Sequence, residues 1–172
     1  IGSGYFIAGK ILGLSQAREY GLDARGAGLL FAAGYLLSAF ASQLFPKLKT
    51  RFGPKKLLIL LTFLLAGTFL FAKYVGLILG LLLIISRISS STTFNNLRSS
   101  VLNRFIDSKN RATAISSLML LTQLPYVLLS YTIGDFIDGY SPNSYGLILG
   151  LSMIAALIIQ QFAFAFSRSK SV

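Results

Sequence analysis

The sequence predicts an all-α integral membrane protein, a six-helix transmembrane bundle whose first helix is truncated at its start. The chain has 172 residues, of which 54% are hydrophobic and only 12% are charged, whereas soluble domains average about a quarter charged residues. Long apolar runs alternate with short polar segments. The sequence contains neither cysteine nor histidine, which removes disulfides, thiolate metal sites and the commonest general base. We therefore expect no cofactor, no metal ion and no enzymatic activity.

Six apolar runs are predicted to cross the bilayer as one domain over residues 1–172, because a transmembrane helix needs about 20 mostly apolar residues. The apolar character begins at residue 1, so we interpret the chain as a fragment that starts inside a helix. The third run is nearly uniformly apolar and is expected to face lipid. The fourth exceeds the thickness of the bilayer core, so its last turns should project beyond it. The predicted spans are 1–17, 26–45, 57–72, 75–105, 112–134 and 145–166.

The basic residues lie in alternate connecting segments and predict the orientation of the chain. Residues 46–56 (PKLKTRFGPKK), residues 106–111 and the tail from residue 167 are basic, whereas residues 18–25 and 135–144 are balanced or acidic. Because lysine and arginine favour the cytoplasmic side, we expect a multi-pass protein of the plasma (inner) membrane with a cytoplasmic C-terminus. The basic residues of these segments account for the net charge of +11, and we expect them to contact membrane lipids. No nucleic-acid partner is expected.

Small residues recur at intervals of four along several predicted spans. Glycine, alanine and serine at this spacing allow membrane helices to approach one another closely. We expect these positions to mark helix–helix contacts rather than lipid-facing surface. The seams are Gly9, Gly13 and Ala17 in the first span, Gly34, Ser38 and Ser42 in the second, and Gly146 and Gly150 in the sixth.

A polar face on the fourth span is the main candidate site. Four residues follow one another at steps of four, four and three and therefore share one side of the helix: Arg87, Ser91, Asn95 and Arg98. An arginine inside a membrane span is costly and indicates a functional site. Arg87 could meet a polar or anionic substrate group, or an acid from another part of the polypeptide, or it could pair structurally with helix-end carbonyls or asparagine side chains. Gln123 and Tyr126 could line the same pathway or form interhelical hydrogen bonds.

The basic segment 46–56 resembles a motif of the major facilitator superfamily, the short loop between the eighth and ninth of its twelve helices. The family pattern is glycine, three residues, aspartate-arginine, one residue, glycine, and then two basic residues close behind. Pro46 stands at the first glycine and Thr50 at the aspartate. The matching residues are Arg51, Gly53, Lys55 and Lys56.

A second segment, residues 102–116 (LNRFIDSKNRATAIS), is similar to the junction between the tenth and eleventh helices in bacterial members of that family. Asp107 stands where the family usually has proline. Residues 134–139 also resemble the end of its eleventh helix. The matching residues of the junction are Asn103, Ile106, Arg111, Ala112, Thr113 and Ser116.

The resemblance covers essentially the whole chain and implies the C-terminal six-helix half of a secondary active transporter that works by alternating access. The resemblance does not fix a substrate. We expect a small organic solute or drug-like compound that is moved by efflux, with the missing N-terminal six-helix half of the same polypeptide as a partner. A proton is the candidate coupling ion. All five acidic residues lie at predicted loops or helix ends, so its carboxylate is expected in the missing half. The implied cytoplasmic gating residues are Arg51, Gly53, Lys55, Lys56, Asp107, Arg111 and Thr113.

Two alternatives remain open from the sequence. Arg111 and Thr113 open the fifth helix, so they could orient the turn before it rather than act in gating. The chain as a whole could also be a stand-alone helical membrane scaffold or assembly protein without transport activity.

Overall fold

The computed structural model describes the backbone of residues 2–107 and 109–169, and the side chains of residues 2–104, 106–107 and 109–162. Across these residues every regular element is helical, and four helices are long and apolar enough to cross a membrane. The predictions of an all-α chain and of membrane-spanning helices are confirmed at this level. The elements are α1 (Gly2–Ile7), a π-helical turn (Ala8–Leu12), α2 (Gly13–Glu19), α3 (Ala24–Ala72), α4 (Leu77–Phe105), α5 (Arg111–Gly139) and α6 (Pro142–Ser169).

The first three elements form one continuous helical rod, which we call the N-terminal rod (residues 2–19). The backbone at Ile7, Leu12 and Gly13, where the elements join, stays in the right-handed helical region. Between them the π-helical turn inserts its wider hydrogen-bonding pattern. Turns of this kind inside α-helices are frequent at functional sites, and this one borders the cavity described below.

Helix α3 is a hairpin of two arms that meet at Gly53, where φ is 72° and ψ is 161°. The Tyr20 hydroxyl lies 2.5 Å from the carbonyl oxygen of Ala72, and Tyr20 also packs against the buried cluster that contains Ala27 and Leu30. Both ends of a 49-residue element therefore lie near one side chain, although a straight helix of that length would extend about 74 Å. Glycine is suited to this left-handed φ. Pro54 then starts the second arm, where no backbone N–H is needed.

The predicted basic loop at residues 46–56 is therefore wrong in its extent. Residues 24–52 form the first arm and residues 54–72 the second, so Gly53 alone makes the turn. The predicted loop at 135–144 is likewise mostly helical, because α5 continues to Gly139 and α6 begins at Pro142. Hydropathy marks where a bilayer would end, but helical turns continue past that point because their polar side chains can be solvated.

Contacts at the two ends show that successive segments alternate in direction. At one end the Lys49 ammonium donates a hydrogen bond to the Ser100 hydroxyl and joins the first arm of α3 to the end of α4. We call this the basic end, because it carries the lysines and arginines around Gly53. The turn that Arg111 holds after α4 also lies here. At the opposite end the Glu19 carboxylate accepts hydrogen bonds from the start of α6.

The second arm of α3 packs one face into the core beside the N-terminal rod. Leu61, Leu65 and Phe69 are almost fully buried there, while Phe63 and Leu64 on the opposite face are exposed. The expectation that this span faces lipid is wrong for the buried face. Its uniform apolarity could not reveal this, because lipid and a protein neighbour are equally apolar.

Several positions of the small-residue seams mark close approaches between helices. A Cβ at Gly34 would lie 2.6 Å from the side chain of Ile88, and one at Gly150 would lie 3.0 Å from the Ala66 carbonyl. Glycine therefore lets α4 and α6 approach the two arms of α3. Gly9 differs, because a Cβ there would meet nothing within 4 Å. The prediction of a helix contact at Gly9 is wrong, since this glycine borders open space.

Candidate functional site

Arg87 is buried inside the helices, with 4% of its surface exposed. It lies about 15 Å along α4 from Leu77. Its Nη1 donates a hydrogen bond of 2.6 Å to Oε1 of Gln16, a residue of the N-terminal rod with 0% exposure. Its guanidinium carbon lies 4.5 Å from the centroid of the Phe69 ring on the second arm of α3. Three elements therefore hold one cation, through an amide oxygen and a cation–π contact.

The remaining nitrogens of Arg87 have no partner. Nε and Nη2 are buried and make no hydrogen bond, and Nε2 of Gln16 is likewise buried without a hydrogen-bond partner. Among the residues that the structure describes, none of the carboxylates pairs with Arg87. Glu19, at the same end of the rod as Gln16, accepts instead from the backbone N–H of Asn143 at 2.9 Å. Arg87 therefore keeps a largely uncompensated charge and two free donors.

A cavity of about 280 Å³ adjoins Arg87. It is bounded by the N-terminal rod, the first arm of α3 and α4. Arg87, Ser91 and Asn95 line it, so most of the helical face predicted from spacing is a cavity wall. Arg98, the fourth residue of that face, lies outside the described lining and beside the Phe94 ring. The rod contributes Gly9 from its π-helical turn, where the lack of a side chain leaves space.

The rest of the cavity wall combines aromatic, aliphatic and hydroxyl-bearing residues. Arg87 is the one charged residue among the described residues that line it. The remaining lining residues are Tyr5, Ala8, Gly13, Phe31, Tyr35, Ile84, Ile88 and Thr92.

Gln123 and Tyr126 do not share this cavity. Both lie on α5, which contributes none of the described lining residues. Tyr126 packs edge-on against Phe6 of α1, with 5.1 Å between ring centroids, and joins the main hydrophobic core. In the N-terminal rod α1 contacts α5, whereas α2 contacts α4. A shared pathway of Gln123 and Tyr126 with Arg87 therefore stays a prediction.

The predicted gating residues lie at the basic end. Arg51 lies 5.8 Å from the ring centroid of its neighbour Phe52, and Lys55 and Lys56 are exposed on the second arm of α3. Gly53 between them is the turn itself. These cations surround a one-residue turn whose conformation depends on glycine.

Arg111 holds the turn between α4 and α5. Its Nη2 donates to the carbonyl oxygens of Asn103 and Ile106, at 3.4 Å each. This is the turn-orienting role that the sequence left open, since helix-end carbonyls lack partners in the helix itself. Asp107 and Thr113 beside it are exposed.

The opposite end is closed by neutral and acidic groups. The Tyr20 hydroxyl donates to the carbonyl of Ala72, and burial raises the pKa of Tyr20 above its ordinary value, so it stays a donor at neutral pH. The Glu19 carboxylate accepts from the Ser141 hydroxyl at 2.7 Å and from the backbone of Asn143, and so caps the positive N-terminus of α6.

Sequence reasoning missed Gln16 and Phe69, which hold Arg87. Gln16 carries a weak signal, because it is an amide near the end of an otherwise apolar run. Phe69 carries none, because nothing distinguishes it from the other apolar residues of its span. No family model, curated protein or solved structure matches the chain. The chemistry of the site therefore has to be argued from its own residues: one buried cation beside a small cavity with both apolar and hydroxyl-bearing walls.

Proposed function

We propose that the chain is the C-terminal six-helix half of a facilitator-type secondary transporter, which exports a small organic solute by alternating access. The observation that carries the proposal is the cavity of about 280 Å³ beside the buried, incompletely hydrogen-bonded Arg87. Placing an arginine at the centre of a membrane helix costs at least about 2.5–3.5 kcal/mol. A cost of that size is expected where the charge binds a ligand, and the charge of Arg87 lies beside a cavity.

The proposed topology assigns one crossing each to the N-terminal rod, the two arms of α3, and α4, α5 and α6. The basic end then faces the cytoplasm of the inner membrane, together with the C-terminus, as the positive-inside rule requires. Lipids contact the apolar outer faces. The missing N-terminal half of the same polypeptide would cover the broad exposed apolar face of α5, which includes Leu120 and Leu128.

Gating in this proposal takes place at the basic end. The turn at Gly53 and the turn held by Arg111 lie at the ends of the segments that bound the cavity. The hydrogen bond between Lys49 and Ser100 closes the gap between the first arm of α3 and α4. Opening toward the cytoplasm would separate those two segments and break that bond.

Proton coupling, if present, would use an acid outside this cavity. Glu19 caps α6 and Asp23 caps the start of α3, where it accepts from the Gly26 N–H at 2.7 Å. Asp107, Asp135 and Asp138 lie in the turn after α4 or near the end of α5. A proton-binding carboxylate at the centre of the membrane would then come from the N-terminal half.

A second candidate is a helical membrane scaffold that assembles with a partner and transports nothing. The exposed apolar face of α5 favours it, because Leu128 alone is 70% exposed and such faces are suited to packing against another helix. This candidate gives the cavity no role.

The test is transport by the full-length protein in proteoliposomes. Radiolabelled small organic acids, amines and sugars would each be measured with and without an imposed pH gradient, with protein-free liposomes as reference. Arg87→Ala would be compared with wild type after both are shown to insert and to remain monodisperse. Transport that collapses in Arg87→Ala supports the proposal, whereas unchanged transport makes Arg87 structural. Absence of transport for every class favours the scaffold.

A further inference from the structure

The free atoms of Arg87 form one edge of its guanidinium. Gln16 occupies Nη1, at 2.6 Å, while Nε and Nη2 have no partner. In the planar guanidinium, Nε–H and the neighbouring Nη2–H point in the same direction, and a carboxylate can accept both as two parallel hydrogen bonds. Gln16 thus fixes the far side of the group, and the other side is a two-pronged donor. Both donor atoms are covered in this conformation, so a ligand in the adjoining cavity reaches them when the Arg87 side chain turns toward it. We propose that this edge binds the carboxylate of a small, largely apolar monocarboxylate anion, which is the transported substrate.

The charge of the cavity favours a monoanion over a phosphate. Arg87 is the one charged residue among the described lining residues, so a single negative charge neutralises it. A phosphate dianion would leave excess negative charge in a site with low polarity, which is costly. Lys10, the nearest base along the rod, is exposed and lies against the Phe6 ring, outside the cavity lining.

The walls and the size of the cavity favour a compact apolar body. Tyr5, Phe31 and Tyr35 supply aromatic surface, which stacks well on a flat ring. Ser91 and Asn95 supply polar groups on the α4 side. The volume of about 280 Å³ equals that of about nine waters and is slightly below the range of drug-sized pockets. A benzoate-sized molecule meets these conditions.

This inference rests on the proposed transport function, because it names the class of solute for the same cavity. Two different groups could accept hydrogen bonds from the unpaired nitrogens of Arg87, and binding of an added carboxylate distinguishes them. An acid from the N-terminal half that occupied the free edge would exclude an added carboxylate. A substrate site would instead bind one reversibly and would discriminate against an uncharged molecule of the same shape.

The test is equilibrium binding of radiolabelled benzoate to the purified full-length protein in detergent at neutral pH. Benzamide, which has the same shape and no charge, and inorganic phosphate are the competitors. We expect saturable benzoate binding that neither competitor displaces at equal concentration. Arg87→Lys keeps the charge but loses the two-pronged donor, and we expect it to weaken binding by about tenfold or more.

Two further variants separate the site from the stability of the fold. Gly9→Leu adds a side chain where a Cβ meets nothing within 4 Å, so it should fold and obstruct the cavity. Its matched control is Gly28→Leu, at an equally open position outside the lining. Arg98→Lys is the control for Arg87→Lys, because Arg98 lies on the same helix beside Phe94 and outside the lining. We expect both controls to bind benzoate as wild type does.

Several results would overturn the inference. They are the absence of benzoate binding, equal competition by benzamide or phosphate, and binding that Arg87→Lys or Gly9→Leu leaves unchanged. The transport proposal is judged separately. Transport of another solute that benzoate does not inhibit would remove the monocarboxylate class and leave the transporter. Specific benzoate binding without any flux would leave the site and remove the transporter.

Discussion

Replacing Gln16 with leucine tests how the buried charge is held. Leucine fills a similar volume, so the packing around this fully buried position is largely kept, but the acceptor of the 2.6 Å hydrogen bond from Arg87 is lost. Hydrogen bonds to charged groups contribute about 1.5–3 kcal/mol. The change also removes the unpaired Nε2 of Gln16, whose burial costs about 1 kcal/mol or more. The free energy of unfolding should therefore fall by about 1–2 kcal/mol.

Thermal unfolding of the purified protein in detergent measures this change. For a chain of 150–250 residues, 1 kcal/mol corresponds to about 2–4 °C, so Gln16→Leu should lower the midpoint by about 2–8 °C. Gln43→Leu is the matched control, because Gln43 is exposed on the first arm of α3, and it should change the midpoint little. A midpoint that is unchanged or raised by Gln16→Leu would refute the reasoning, since Arg87 would then not depend on this amide.

Three further changes test the turns and the ends of the helices. Gly53→Ala places a Cβ at φ 72° and ψ 161°, a region essentially restricted to glycine, and should destabilise the α3 hairpin by about 1–3 kcal/mol. Gly80→Ala brings a Cβ to 2.4 Å from the Tyr20 ring and should cost about 1–3 kcal/mol by overpacking. Glu19→Gln removes the charge at the N-terminus of α6, where Asn143 donates, and should cost about 1 kcal/mol, seen as faster hydrogen exchange in the first turn of α6.

Each of these changes has a control in the same chain. Gly67→Ala adds a Cβ that meets nothing within 4 Å, so it should be neutral or slightly stabilising in thermal unfolding. If Gly53→Ala or Gly80→Ala behaved in the same way, the described turn or the described contact would be wrong. Asp138→Asn alters an exposed carboxylate and should leave exchange in α6 unchanged. Equal effects of Glu19→Gln and Asp138→Asn would argue against a specific cap.

Hydropathy and charge predicted the helical class and the order of the elements, and their limits are visible at particular residues. Gly53 and Pro54 were recognisable as a break because one tolerates positive φ and the other lacks an N–H. The extent of the helices around this break could not be recognised, because helices continue through charged residues such as Lys49 and Arg51 beyond the apolar run. The burial of the second arm of α3 was also hidden, since apolar residues look the same toward lipid and toward protein.

The candidate site was predictable only along one helix. Spacing alone grouped Arg87, Ser91 and Asn95 with Arg98, and the first three line the cavity whereas Arg98 does not. The contacts from Gln16 and Phe69 depend on how the N-terminal rod and α3 pack against α4, and a local pattern carries no information about that packing. For the same reason the sequence could not show that Gln123, on α5, lies outside the described lining of this cavity.

The central claim is that the cavity beside Arg87 is a transport pathway, and access to Ser91 tests it most directly. These 172 residues contain no cysteine. In a full-length background from which any cysteine outside them has been removed, Ser91→Cys introduces a single thiol into the cavity wall. Labelling by a membrane-impermeant maleimide would be measured from each side, in intact cells and in inverted vesicles. Leu128→Cys, on the exposed apolar face of α5, is the control and should not be labelled from either side. Alternating access predicts labelling of Ser91→Cys from both sides, and labelling from one side only, or from neither, would contradict it.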